Sequence, residues 1–166
     1  AADIAADKEL VWVLSAFISD DDLEEIVEIY ENLRKDNISI SIMGDTPSLA
    51  RLFPDTKVYG SHNLNIWNNF SVKMLEEAGF TGATISSELS EKEIRELINK
   101  SKGYNTKMEL IVQGNQEIMV SKDDFSNLNE GFDLDIGTNE YVVLEDKENN
   151  AKFKIYFDYN RQSHFF

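Results

Sequence analysis

Three clusters of chemistry-bearing side chains fall where short apolar runs end. The first is Ser61-His62-Asn63-Leu64-Asn65, with Asn68 just beyond it. The second is Ser86-Ser87-Glu88, and the third is Glu109 in Glu-Leu-Ile-Val-Gln-Gly, which closes on Gly114. Two carboxylates, Glu88 and Glu109, are the residue types of an acid–base pair, although spacing along the chain does not fix their separation. Each also has a plain alternative. Glu109 is expected at the start of a buried strand, where a carboxylate needs a partner or a raised pKa, so it could act as acid or base or sit in an ion pair with Lys or Arg. Glu88 could act on a substrate or orient the loop before a helix. Ser86 or Ser87 with His62 would make a nucleophile and base, but no Gly-x-Ser-x-Gly elbow accompanies them. A polar corner of His62, Asn63, Asn65 and Asn68 is the plainer reading. Gly114 either lets a backbone or ligand approach or only permits a turn.

The elements that must position these groups alternate. Glu9–Phe17 is a nearly continuous apolar run, as in a strand buried on both faces. Ser19 with Asp20, Asp21 and Asp22 opens a helix whose Leu23, Ile26, Val27, Tyr30 and Leu33 share a face. A strand over 38–43 ends at Gly44-Asp45, and Thr46-Pro47 suits the start of a short helix through Leu52. Residues 57–59 begin a third strand. Asn68 or Asn69 caps a helix with Val72, Met74, Leu75 and Ala78 on its buried side and Gly79 at its end. A strand over 82–85 follows, then the capping box Ser90-x-x-Glu93 with Ile94, Leu97 and Ile98 behind it, then a strand over 108–112. The β-α-β order with short connections predicts parallel strands and right-handed crossovers. Ligands in such folds bind outside the carboxyl ends of the strands.

After Ser121 the texture changes. Residues 122–140 read as a long acidic loop. Residues 141–144 and 152–157 read as an antiparallel hairpin turning at 147–150. The sequence thus divides into an α/β part over 1–121 and an appendage over 122–166. Asp133-x-Asp135-x-Gly137-x-Asn139 only faintly resembles a calcium loop, since Leu144 stands where the closing carboxylate belongs. The apolar ending from Gln162 to Phe166 has no turn or cap and is expected of a polypeptide that continues.

Composition bounds the possibilities. The 166 residues hold 42% hydrophobic residues, enough for a core in a chain that buries roughly 70% of its surface. No apolar run is long enough to span a membrane, and the opening AADIAADKEL is not a secretory signal. The net charge of −15 disfavours nucleic acid, because no basic block could displace counterions from phosphates. The absence of cysteine removes disulfides, thiolate metal sites and iron–sulfur ligation, and fits a reducing, cytoplasmic setting. Two histidines are too few for a His-rich metal centre.

These elements together resemble the collagenase-like peptidases of unassigned catalytic type, peptidase family U32. Leu64, Asn65, Ile66, Trp67 and Asn68 match a Leu-Asn-x-x-Asn element, and Ser86, Ser87, Glu88 and Leu89 match Ser-x-Glu-Leu. Glu109, Val112 and Gly114 match Glu-x-x-Val-x-Gly, with Met119 and Ser121 following. Leu144-Glu145-Asp146 and 153–158 resemble the closing acidic and Phe-Pro-Val-x-x-Asp elements, although Lys154 replaces the proline. Lys122, Asp123 and Asp124 stand where members commonly carry a cysteine, so the chain cannot supply the iron–sulfur ligands of some relatives.

The resemblance implies an α/β fold of parallel β/α units like half of a TIM-type barrel, the second half of the family domain, plus the hairpin. It implies peptide-bond hydrolysis by the full-length protein, metal-dependent or of unassigned mechanism. Glu88 and Glu109 would be the acid–base or cation-binding groups, and His62, Asn65, Asn68, Ser86, Ser87 and Gly114 would meet substrate. The expected partners are a peptide or protein substrate, the remainder of the parent protein and, through an open sheet edge, a second copy. A diverged non-catalytic binding or scaffold domain is the alternative. An RNA-modification accessory is a further one, opposed by the acidity and the missing cysteines.

Overall fold

The computed structural model describes residues 8–123, 141–157 and 162–166. Residues 124–140, which the sequence reads as an acidic loop with the calcium-like segment, lie outside that set. The chain comprises two compact units, Ala1–Val112 and Gln113–Phe166.

The first unit alternates strands and helices: β1 (Val11–Val13), α1 (Asp20–Lys35), β2 (Ser41–Gly44), α2 (Leu49–Leu52), β3 (Val58–Gly60), a 3-10 turn (His62–Leu64), α3 (Asn69–Ala78), β4 (Gly82–Thr84), α4 (Glu91–Lys100) and β5 (Lys107–Glu109). The strands form one sheet in the order β1-β2-β3-β4-β5, and every pairing is parallel.

Local sequence explains the helix ends. Ser19 and Asp22 cap each other reciprocally at α1, as do Ser90 and Glu93 at α4. Asn68 caps α3 by accepting from the Ser71 amide at 3.0 Å, and Gly79 ends it at φ 95°. Glu76 accepts from both the backbone and side-chain nitrogens of Asn105, at 2.7 and 2.9 Å, which ties the approach to β5 onto α3.

The core lies on one face of the sheet. Tyr30, Leu49, Phe53, Val72, Leu75 and Leu97 from the helical layer pack with Ile42, Val58 and Ala83, and Trp12 and Met108 join them. Full burial of each large apolar side chain contributes about 1.5–3 kcal/mol. Alternate strand positions point the other way. Rows set by the register run across this second, helix-free face: Val13 beside Met43 beside Tyr59, Tyr59 beside Gly82 beside Lys107, and Thr84 beside Glu109. None of these residues belongs to the core cluster.

Several sequence expectations need correction for this reason. β1 is not buried on both faces: it is an edge strand, and Val13, on the helix-free face, is 61% exposed. β5 stops at Glu109, the last residue in register with β4, and Val112 beyond it is 87% exposed. Glu109 therefore ends its strand and is exposed, where a buried strand start was expected. Met74 is exposed because it lies two positions from Val72, on the opposite side of α3, and Ile98 falls at the margin of α4's buried face. Thr46-Pro47 forms the turn before α2. Ser48 is its N-cap residue, without a side-chain capping bond.

The second unit contains β6 (Met119–Ser121), β7 (Tyr141–Asp146), β8 (Ala151–Phe157) and β9 (Ser163–Phe165), antiparallel in the order β6-β9-β8-β7. The expected hairpin is β7–β8. Its turn is held by the Asp146 carboxylate, which accepts from the amides of Glu148 and Asn149 at 3.0 and 3.2 Å. The apolar ending, which shows no turn or cap in sequence, forms β9 between β6 and β8, with Phe165 buried and Phe166 edge-on to Tyr156 at 5.2 Å. The aromatic residues here thus pack the sheet.

Candidate functional site

Parallel pairing places the carboxyl ends of all five strands of the first unit along one edge. Asp45 follows β2, Ser61 follows β3, Ser86 lies two residues past β4, and Glu109 ends β5. The polar strand tips singled out by the sequence therefore share a rim, apart from Gly114. That residue belongs to the second unit, where φ of 142° is a setting side chains rarely adopt.

Glu109 ends β5 and is exposed. Its side chain lies on the helix-free face, and Thr84 Oγ1 donates to Oε2 at 3.3 Å. Its backbone carbonyl accepts from the Ile85 amide at 2.9 Å, which fixes the β4 exit against the β5 end. Among the described residues no basic side chain lies within 4 Å of Glu109 or Glu88. Glu88 is exposed in the loop before α4, and its amide donates to Ser86 Oγ at 3.4 Å. No hydrogen bond or ion pair joins Glu88 to Glu109.

The remaining candidates occupy the loop from β3 to α3 and the loop from β4 to α4 that also carries Glu88. Ser86 is buried, and its amide donates to the Ile66 carbonyl at 3.1 Å, linking the two loops next to the bridge between Ile66 and Ile85. Ser87 is exposed. His62 is half-buried at the start of the 3-10 turn. Asn65 takes a left-handed conformation at φ 52°, which asparagine tolerates, and its Oδ1 accepts from Trp67 Nε1. Asn68 uses its Oδ1 for the α3 cap, which leaves its amide nitrogen facing outward from that bond.

Five residues in or beside the sheet were not singled out by sequence reasoning. Asp45 accepts from Ser61 Oγ and, at 3.0 Å, from Asn63 Nδ2, so it organises the β3 loop. The strand-end rule that marked its neighbours applied equally to it. Thr84, the Glu109 partner, carried no signal beyond its place in a strand. Glu9 accepts from Ser41 Oγ at 2.6 Å and Tyr59 Oη at 2.9 Å, and pairs with Lys57 at 3.4 Å. These bonds, the Ser41 bond foremost, hold the Glu9 carboxyl below its ordinary value. Tyr59 is pushed up by burial first, then by Glu9, with a further contribution from the charge of Glu109. Gly82 is the reason the Tyr59 ring can lie across the sheet. A Cβ there would meet that ring at 3.1 Å and the Lys107 carbonyl at 3.0 Å.

A cleft of about 940 Å³ opens at the opposite edge, around the amino ends of β1 to β3, with Lys8, Ser41 and Lys57 in its wall. Functional side chains in parallel sheets gather at carboxyl ends, and the uncompensated Glu109 carboxylate lies there. Among the described residues no three His, Cys, Asp or Glu side chains group closely enough to hold a metal ion. Nor is any described helix long and apolar enough to cross a membrane.

A parallel α/β unit with its helices packed on one face and carboxylates at its strand tips fixes a fold class but not a reaction. The family model described as Peptidase family U32 matches residues 2–130, and the chain belongs to that family. No curated protein and no solved structure matches it.

Proposed function

We propose that the first unit is a half-barrel wall of a peptide-bond hydrolase and that Glu109 is its acid–base residue. The observation behind this is the position of the Glu109 carboxylate: carboxyl end of β5, the face opposite the helices, bonded to Thr84 and with no described basic side chain within 4 Å. Sequential parallel strands with the core on one face suit a barrel, whose second face looks inward. A doubly wound sheet would cover both faces with helices.

In this reading Glu109 accepts a proton from water as the water oxygen adds to the scissile carbonyl carbon. The C–N bond then breaks and the amine leaves with a proton delivered from Glu88 or returned from Glu109. His62 and the amides of Asn65 and Asn68 orient the peptide, and Ser86 and Ser87 border it. The substrate is a peptide or protein.

Hydrolysis of casein or gelatin by the full-length protein, with loss in Glu109→Gln, is the expected result. Equal rates in both would remove Glu109 from the mechanism. The exposure of both Glu88 and Glu109, with neither held in a closed cleft among the described residues, favours a second reading, a non-catalytic peptide-binding domain. It would bind the same peptides without cleaving them.

A further inference from the structure

We infer that a cavity at the carboxyl ends of β1 and β2 is the subsite for a lysine or arginine side chain of the substrate, an inference that rests on the peptide-hydrolase reading. The cavity holds about 300 Å³. Its walls include Leu14, Leu23, Leu49 and Leu52, and its lining contains two carboxylates, Asp45 beyond β2 and Asp20 in the first turn of α1. Asp45 is held in place by Ser61 Oγ and Asn63 Nδ2. Among the described residues neither carboxylate has a basic side chain within 4 Å.

Leucine walls to line a methylene stem, with a fixed carboxylate and the hydroxyls of Ser15, Ser19, Thr46 and Ser48 to accept from its end, match a peptide side chain that terminates in a cation. An acidic side chain would be repelled. A neutral apolar one would desolvate the carboxylates without pairing them. A bare metal ion would need more donors than the cavity groups together.

The cavity lies on the same carboxyl edge as Glu109. β2 and β5 are three strand spacings apart, about 14 Å. That distance corresponds to about four residues of extended peptide. The subsite therefore reads a basic residue about four positions from the bond that Glu109 acts on.

The test uses full-length protein and a fluorescent peptide set in which lysine, norleucine or glutamate is scanned along one sequence. Binding is measured on the Glu109→Gln variant, so that no peptide is consumed, and cleavage is measured on the wild type. The lysine peptide is expected to bind about tenfold more tightly than the norleucine peptide at one position, with the difference shrinking in salt. Asp45→Asn should abolish the preference. Leu52→Trp, at a partly exposed wall position, should do so by filling the cavity if Asp45→Asn does not fold. Equal affinity for lysine and norleucine at every position would overturn the subsite, and cleavage by the wild type would then leave the hydrolase reading standing. A lysine preference sensitive to Asp45, without cleavage, would support the subsite and sink the hydrolase reading. No binding of any peptide would overturn the subsite.

Discussion

Thr84 and Glu109 stand side by side on adjacent parallel strands, and the threonine hydroxyl donates to the carboxylate at 3.3 Å. The bond orients Glu109 without neutralising it. Thr84→Val removes the donor while keeping the shape. It should lower kcat about tenfold with KM little changed, and reduce stability by about 1 kcal/mol. Steady-state kinetics and urea denaturation on the same preparation check both. An unchanged kcat would show that Thr84 serves only the sheet.

Asn68 offers a separation of structure from binding. Its Oδ1 caps α3, and its amide is a candidate substrate contact. Asn68→Ala should cost about 1 kcal/mol of stability through loss of the cap. Asn68→Ser keeps a capping oxygen and should restore stability, yet still raise KM for peptide. If the serine variant matches the wild type in both, Asn68 is a cap and nothing more.

The contrast between legible and illegible positions has a physical pattern. The capping box at Ser90 and Glu93, the cap at Asn68 and the terminator Gly79 rest on interactions within a few residues, so sequence alone exposed them. The alternation of units and the parallel order followed from their short connections. Burial across the sheet was less accessible. Whether Val13 or Glu109 is covered depends on which sheet face lacks helices, and the run around β1 reads the same either way. The Glu9–Tyr59 bond spans 50 residues and left no local mark. β9 was hidden too, because one of its partners, β6, lies more than 40 residues away in sequence.

Gly82 is required by its neighbours. Gly82→Ala would bring a Cβ to 3.0 Å from the Lys107 carbonyl and 3.1 Å from the Tyr59 ring. The backbone atom cannot yield cheaply. A loss of about 1–3 kcal/mol is expected in chemical denaturation. A neutral result would mean that β4 and β5 can part without cost.

Acid stability should reveal Glu9. Its pKa is depressed in the folded protein by Ser41, Tyr59 and Lys57. Between the folded and unfolded values the unfolded chain binds more protons. The stabilisation is therefore fully present above the ordinary glutamate value, about pH 4.3, and is lost as pH falls through the lower folded value. Urea midpoints measured downward from pH 6 should fall less steeply in Glu9→Gln than in the wild type. Parallel curves would show that Glu9 is not coupled to folding.

The most direct measurement is cleavage of a defined peptide in ¹⁸O-labelled water by full-length protein, followed by mass spectrometry. The wild type should release a new carboxyl terminus carrying one ¹⁸O, and Glu109→Gln should do so about 10²–10⁴ times more slowly while remaining folded. Labelled product formed at the same rate by the variant, or none formed by the wild type, would contradict hydrolysis by Glu109.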